Sequence, residues 1–169
     1  SQQELGEICS LLGDLNGVDV AESFSPLRFS KDCGRFGLQP GLAADLLTNK
    51  PDGTPWDLRK PADIKKLFGI LEVEDPVLLV GSPPCTVFSR LRELSDHKRD
   101  PAVVEAEREE GRLHLNTSIL AYVDQMKRGK LFLHEHPKTA TSWQEADMQW
   151  LISQPGVYYV EGPMCHWKM

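Results

Sequence analysis

The chain has 169 residues, 40% of them hydrophobic and 26% charged, the proportions of one globular domain. No apolar run approaches the roughly 20 residues that span a bilayer, so a membrane-embedded helix is excluded. Nineteen Lys and Arg against 25 Asp and Glu give a formal charge of -6, which argues against binding nucleic acid by bulk electrostatics.

Leu5, Ile8, Leu12 and Leu15 recur at helical spacing before Gly17, predicting an N-terminal amphipathic helix within residues 1–16. Residues 18–24 read as a strand and 29–36 as a helical stretch. A second short strand is expected over 42–47, with Asp45 near its end. The Asn-, Pro-, Asp- and Gly-rich segment 48–56 is a loop. Pro61 suits the first turn of a helix carrying Ile64, Leu67, Phe68 and Leu71, and the apolar run 76–80 reads as a buried parallel strand.

The polar stretch 90–100 reads as a loop. Pro101 opens a long helix to about residue 128, with Leu115, Ile119, Tyr122, Val123 and Met126 on one face and Gly129 ending it. Residues 130–133 form a further strand, 145–153 a helix, and 157–160 a last strand after the Pro155-Gly156 turn. Strands thus alternate with helices five times. The expected fold is α/β: a doubly wound, mostly parallel sheet with helices on both faces, occupying residues 17–169.

Cys9, Cys33, Cys85 and Cys165 lie far apart without a Cys-x-x-Cys, so a reduced, intracellular protein is expected, with no metal site. The start at Ser1 and the end at Met169 lead us to expect a fragment.

In a parallel α/β sheet, ligands bind beyond the carboxyl ends of the strands. Those ends supply Glu22-Ser23-Phe24-Ser25, Asp45, Gly81-Ser82-Pro83-Pro84-Cys85, His134-Glu135-His136-Pro137 and Glu161-Gly162-Pro163. Two prolines fix φ twice and remove two N–H donors, which stops the strand ladder. The stiff turn that results presents Cys85 in one direction, as a nucleophile requires.

The run Gly81-Ser82-Pro83-Pro84-Cys85-Thr86-Val87-Phe88-Ser89 resembles the catalytic Pro-Cys motif of the cytosine-5 methyltransferases. Phe132-Leu133-His134-Glu135-His136-Pro137, at the next strand end, resembles that family's Glu-Asn-Val motif. With weaker similarities, the resemblance covers roughly residues 18–165.

It implies a Rossmann-like core that binds S-adenosylmethionine and acts on DNA, with RNA also admitted as a substrate. Such a protein is nuclear in a eukaryote and otherwise cytoplasmic. Cys85 would attack C6 of cytosine while Glu135 engages N3. The cofactor would lie against Glu22, Phe24, Ser25, Asp45, Asp57, Ser82 and Pro83. Pro84, Ser89, Arg90, Arg92, His134 and His136 would meet the substrate, with Lys98 and Arg99 as further phosphate contacts on a loop that closes over the flipped base.

The chain departs from the family pattern at several points. The segment 22–28 lacks the glycines of the family's first loop, and His136-Pro137 replaces Asn-Val. The 169 residues end before the point at which the family carries its Gln-Arg-Arg-type motif and target-recognition region. The charge of -6 would then describe a catalytic sheet without its recognition half. The competing readings are a non-catalytic methyltransferase-like domain of a mobile-element polyprotein, a Cys-His hydrolase using His134 or His136, and an amino-group methyltransferase. The last is disfavoured because Cys85 cannot stack on a base as an aromatic residue would.

Overall fold

The computed structural model describes residues 17–162. The predicted helix within residues 1–16 lies outside them, as do Cys9 and Cys165. β1 (Val20–Ser23) is buried at all four positions and is followed by the short helix α1 (Ser30–Cys33), a 3-10 turn at Gly34–Phe36 and β2 (Pro40–Ala44). α2 (Pro61–Glu74) places Pro61 in its first turn, where a missing N–H costs nothing, and leads into β3 (Leu78–Gly81). A 3-10 turn at Thr86–Phe88 and α3 (Arg90–Asp96) precede α4 (Pro101–Lys127). β4 (Leu131–His134), a 3-10 turn at Thr141–Gln144 and α5 (Ala146–Ile152) complete the order.

The four strands form one all-parallel sheet in the order β2-β1-β3-β4. From β1 the chain steps to one side for β2, then crosses back for β3 and β4. Right-handed crossovers in opposite directions place helices on opposite faces. The packing agrees. Ala21 and Leu79 belong to a large cluster with Leu67 and Leu71 of α2, Leu115, Ile119 and Tyr122 of α4, and Met148 and Leu151 of α5. Their neighbours Val20 and Val80 turn to the other face and pack with Cys33 of α1. The expected doubly wound α/β fold is therefore observed.

α4 starts where its sequence dictates, with the Asp100 carboxylate accepting from Ala102 N at 2.9 Å and Pro101 in the first turn. Gly129, in the left-handed region at φ 69°, turns the chain back into β4. No helix among the described residues is long and apolar enough to cross a membrane.

Several expected elements differ. Residues 157–160 are not a strand, so the sheet has four strands among the described residues, not five. Val157 N bonds back to Gln154 O and Tyr159 packs edge-on against Trp143, which holds this segment off the β4 ladder. The stretch expected as a loop over 90–100 contains α3, because Arg92, Asp96 and Arg99 pair with one another and with α4. The second strand sits earlier, at Pro40–Ala44, and Asp45 stands just beyond it in a turn closed by Thr48 N to Asp45 O.

Candidate functional site

Parallel register sets the site. Ala44, Ser23, Gly81 and His134 lie in one row across the sheet. The residue after each is Asp45, Phe24, Ser82 and Glu135, so four positions singled out from sequence line the carboxyl edge in that order. The sheet changes direction between β1 and β3, where the two following loops leave to opposite faces and open a crevice.

A cavity of about 390 Å³ occupies this crevice, a volume suited to a small molecule. Its wall brings together the predicted Phe24, Asp45, Asp57, Ser82, Pro84 and Arg92. Gly111 of α4 allows the close approach that forms the far wall, since a methyl there would run into Val87 of the Pro-Cys loop.

Glu22 is fully buried beneath the cavity rather than in its wall. Its carboxylate accepts from Ser25 Oγ and Ser30 Oγ, both at 2.6 Å, and from the backbone N–H groups of Arg28, Phe29 and Ser30 at 2.6–3.2 Å. Burial pushes this carboxyl up, but the hydroxyl and backbone donors outweigh it and hold it below its ordinary value. Glu22 and the buried Ser25 thus build the first loop from within. Glycine is absent from it, yet Phe24 and Leu27 adopt left-handed backbone at φ 55° and 40°, conformations that glycine takes without cost.

Asp45 receives Leu47 N on one oxygen. Asp57 is held by Arg59, with Nε at 2.8 Å, and these charge-assisted bonds keep it well below the usual carboxylate range. Arg92 pairs with Glu107, which also takes a bidentate contact from Arg99 at 2.8 Å on both oxygens. Arg92 and Arg99 therefore spend their charge within the domain, whereas Arg90 and Lys98 are exposed. Ser89 is half-buried at the start of α3.

Cys85 is half-buried just outside the cavity wall, between the wall residues Pro84 and Thr86. Glu135 continues the β4 ladder through its N–H to Gly81 O at 3.0 Å, and its side chain is exposed. The two loops are joined by His136. Its Nε2–H donates to Pro83 O at 2.7 Å while Nδ1 accepts from Ser142 Oγ at 2.6 Å. Burial lowers the His136 pKa against the opposing influence of Pro83 O and Glu135, so the neutral ring that this pairing needs is maintained.

Both nitrogens of His136 are therefore committed within the protein, away from a substrate. His134 bonds Tyr122 Oη through Nδ1 at 3.0 Å and is pushed down to about 3, by burial first and then by His136. No hydrogen bond joins either histidine to Cys85. Cys33 is buried, and its thiol is raised by burial and then by the carboxylates of Glu22, Asp19 and Asp32, so it is inert.

No protein-family model, curated protein or solved structure matches this chain.

Sequence reasoning missed the cavity's far wall, which is Glu107, Glu110, Gly111 and His114 of α4. The signal was present as a polar stripe at spacings of three and four residues. The apolar stripe from Leu115 onward, one residue out of step with it, is the one the periodicity reading follows.

Proposed function

We propose that this chain is an S-adenosylmethionine-dependent, methyltransferase-like domain that methylates C5 of cytosine in DNA through a covalent bond between Cys85 and C6. The observation that carries this reading is the position of Cys85, on a rigid loop between the cavity wall and the strand end bearing Glu135. A small-molecule cavity thus adjoins a nucleophile and an acid that remain open to a large substrate.

The chemistry of the cavity favours such a cofactor over a dinucleotide. In phosphate-binding sheets, the N–H groups of the first loop receive the phosphates. Here Glu22 occupies the N–H groups of Arg28, Phe29 and Ser30 with its own negative charge. The wall's Arg59 and Arg92 are paired with Asp57 and Glu107, and Asp45 and Glu110 add further acidic groups. A ligand without phosphate and with a positive charge fits this environment, and a sulfonium nucleoside has both properties. Asp45, Phe24 and Ser82 would hold it, and its contribution is an electrophilic methyl carbon.

Two residues would carry the bond-making and proton-transfer steps at C6 and N3. The Cys85 thiolate forms a bond to C6, and the electron pair of the C5–C6 double bond moves into the ring as Glu135 donates a proton toward N3. C5 would then take the methyl group as the donor's S–CH3 bond breaks with its electron pair left on sulfur, and the N3 proton returns to Glu135. Loss of the C5 proton to water and cleavage of the Sγ–C6 bond restore the aromatic ring and the thiolate. A base inside a duplex reaches neither group, so the target must leave the stack. A DNA substrate places the protein in the nucleus of a eukaryote or in the cytoplasm otherwise.

The test is methyl transfer from labelled S-adenosylmethionine to unmethylated duplex DNA, with RNA and fully 5-methylated DNA as parallel arms. DNA carrying 5-fluorocytosine should trap a denaturation-resistant adduct, because fluorine at C5 cannot leave as a proton does. Cys85→Ala should lower transfer by about 10³-fold or more and abolish the adduct. Full transfer by that variant would remove Cys85 from the mechanism. A wild-type chain with no saturable heat on titration with S-adenosylmethionine would instead be a non-catalytic domain.

A further inference from the structure

The cavity wall contributed by α4 contains a residue that packing alone does not explain. His114 is 7% exposed, and its ring meets Phe24 edge-on with centroids 5.1 Å apart and planes at 63°. Nε2 lies 3.7 Å from Glu110 Oε1, one helical turn earlier, while Nδ1 is buried without a partner. Burial lowers the pKa of the ring, with Glu110 opposing. With the ring neutral and its proton on Nε2, the nitrogen nearer the Glu110 carboxylate, Nδ1 is a bare acceptor.

An unpaired buried acceptor is costly, and a side chain of similar volume without it would pack against Phe24 at no such cost. Phe24 carries a second local cost in the same place. Its φ of 55° is a left-handed conformation that bulky residues rarely adopt. Two unfavourable features thus meet at one wall of the cavity, where a ligand is the element that would offset them.

We propose that His114 is a specificity-determining residue of this cavity, its Nδ1 accepting a hydrogen bond from an N–H or O–H group of a nucleoside ligand as the Phe24 ring gives way. Glu110 acts through His114 by fixing the tautomer. The ligand class is a nucleoside whose 5′ substituent is neutral or cationic, because Asp45 and Glu110 flank the same space. This inference rests on reading the cavity as a cofactor site.

Calorimetric titration of the full chain with S-adenosylmethionine, S-adenosylhomocysteine and adenosine tests it, together with the melting temperature of each unliganded variant. His114→Asn puts an amide oxygen close to the Nδ1 position, and His114→Leu fills the volume with no polar atom. The leucine variant should melt at or above the wild type and bind all three probes about tenfold or more weakly. The asparagine variant should stay within about threefold of wild type. If the leucine variant does not fold, His114→Gln, whose amide reaches the Nε2 position instead, should show the same loss. Unchanged affinity in the variant lacking the acceptor would overturn the role of His114 alone. Weakening of S-adenosylmethionine without weakening of adenosine would overturn its assignment to the nucleoside. A wild-type chain that binds none of the probes would overturn the cofactor reading itself, and the role of His114 with it.

Discussion

The two ends of the carboxyl edge are organised by opposite means. At the β1 end, the loop over 23–30 is assembled around one buried charge, and the cavity above it is lined by side chains from the loops that follow β1, β2 and β3 and from α4. At the β4 end, Cys85 and Glu135 stand near the surface, and their loops are fixed by rigid prolines and one neutral histidine. The cavity is preformed by electrostatics, the end bearing Cys85 and Glu135 by backbone restraint. A small ligand benefits from enclosure, whereas a polymeric substrate needs an open approach with the reacting groups already aimed.

Substitutions that separate the two ends should break this contrast cleanly. His136→Ala removes the clamp from Pro83 O and should lower the turnover of methyl transfer by about 10²-fold while leaving S-adenosylmethionine affinity unchanged, as separate kcat and Kd measurements would show. An equal loss in both quantities would mean that the two ends are not independent. Glu22→Ala strips the charge from the first loop and leaves Ser25, Ser30 and the backbone donors unpaired. It should cost about 3 kcal/mol and lower Tm by roughly 6–12 °C, and cofactor binding should fall with it.

Gly81 lies where both ends meet, and a methyl group at that position would collide with the Tyr122 hydroxyl. Gly81→Ala should cost about 2 kcal/mol in denaturant unfolding, and Tyr122→Phe in the same chain should recover part of it.

A last effect concerns acid. His134, held at about 3 against an ordinary 6.5, binds a proton in the unfolded chain before the folded one, as do His114 and His136 in direction. The unfolded state therefore carries more protons over that interval, so stability should fall as pH drops from about 6.5 toward 3. Glu22, lowered in the fold, adds loss at the acid end of the same range. His134→Phe should flatten the slope of Tm against pH, and an unchanged slope would remove His134 from this account.

Much of the fold was legible because it depends on local pattern. Pro61 and Pro101 announce two helices, the run at 76–80 announces a buried strand, and Gly129 marks a helix end. The errors fell where tertiary contacts outvoted composition. The charges of α3 read as loop because their partners, Glu107 and Arg108, lie on another helix. Residues 157–160 have strand composition, but Tyr159 is engaged by Trp143.

The same division holds for the site. Sequence by itself determined the chemistry on offer, since Pro-Pro-Cys and His-Glu-His each follow an apolar run and both must lie at the carboxyl edge of a parallel sheet. Tertiary structure alone decided what those side chains are free to do. It committed Glu22 to its own loop and His136 to Pro83, paired Arg92 with Glu107, and brought His114 from α4 into the cavity wall. The physical reason is that strand ends and turns are set by backbone preferences over a few residues, whereas side-chain partners depend on how separate loops and helices pack, across 53 positions for Pro83 and His136.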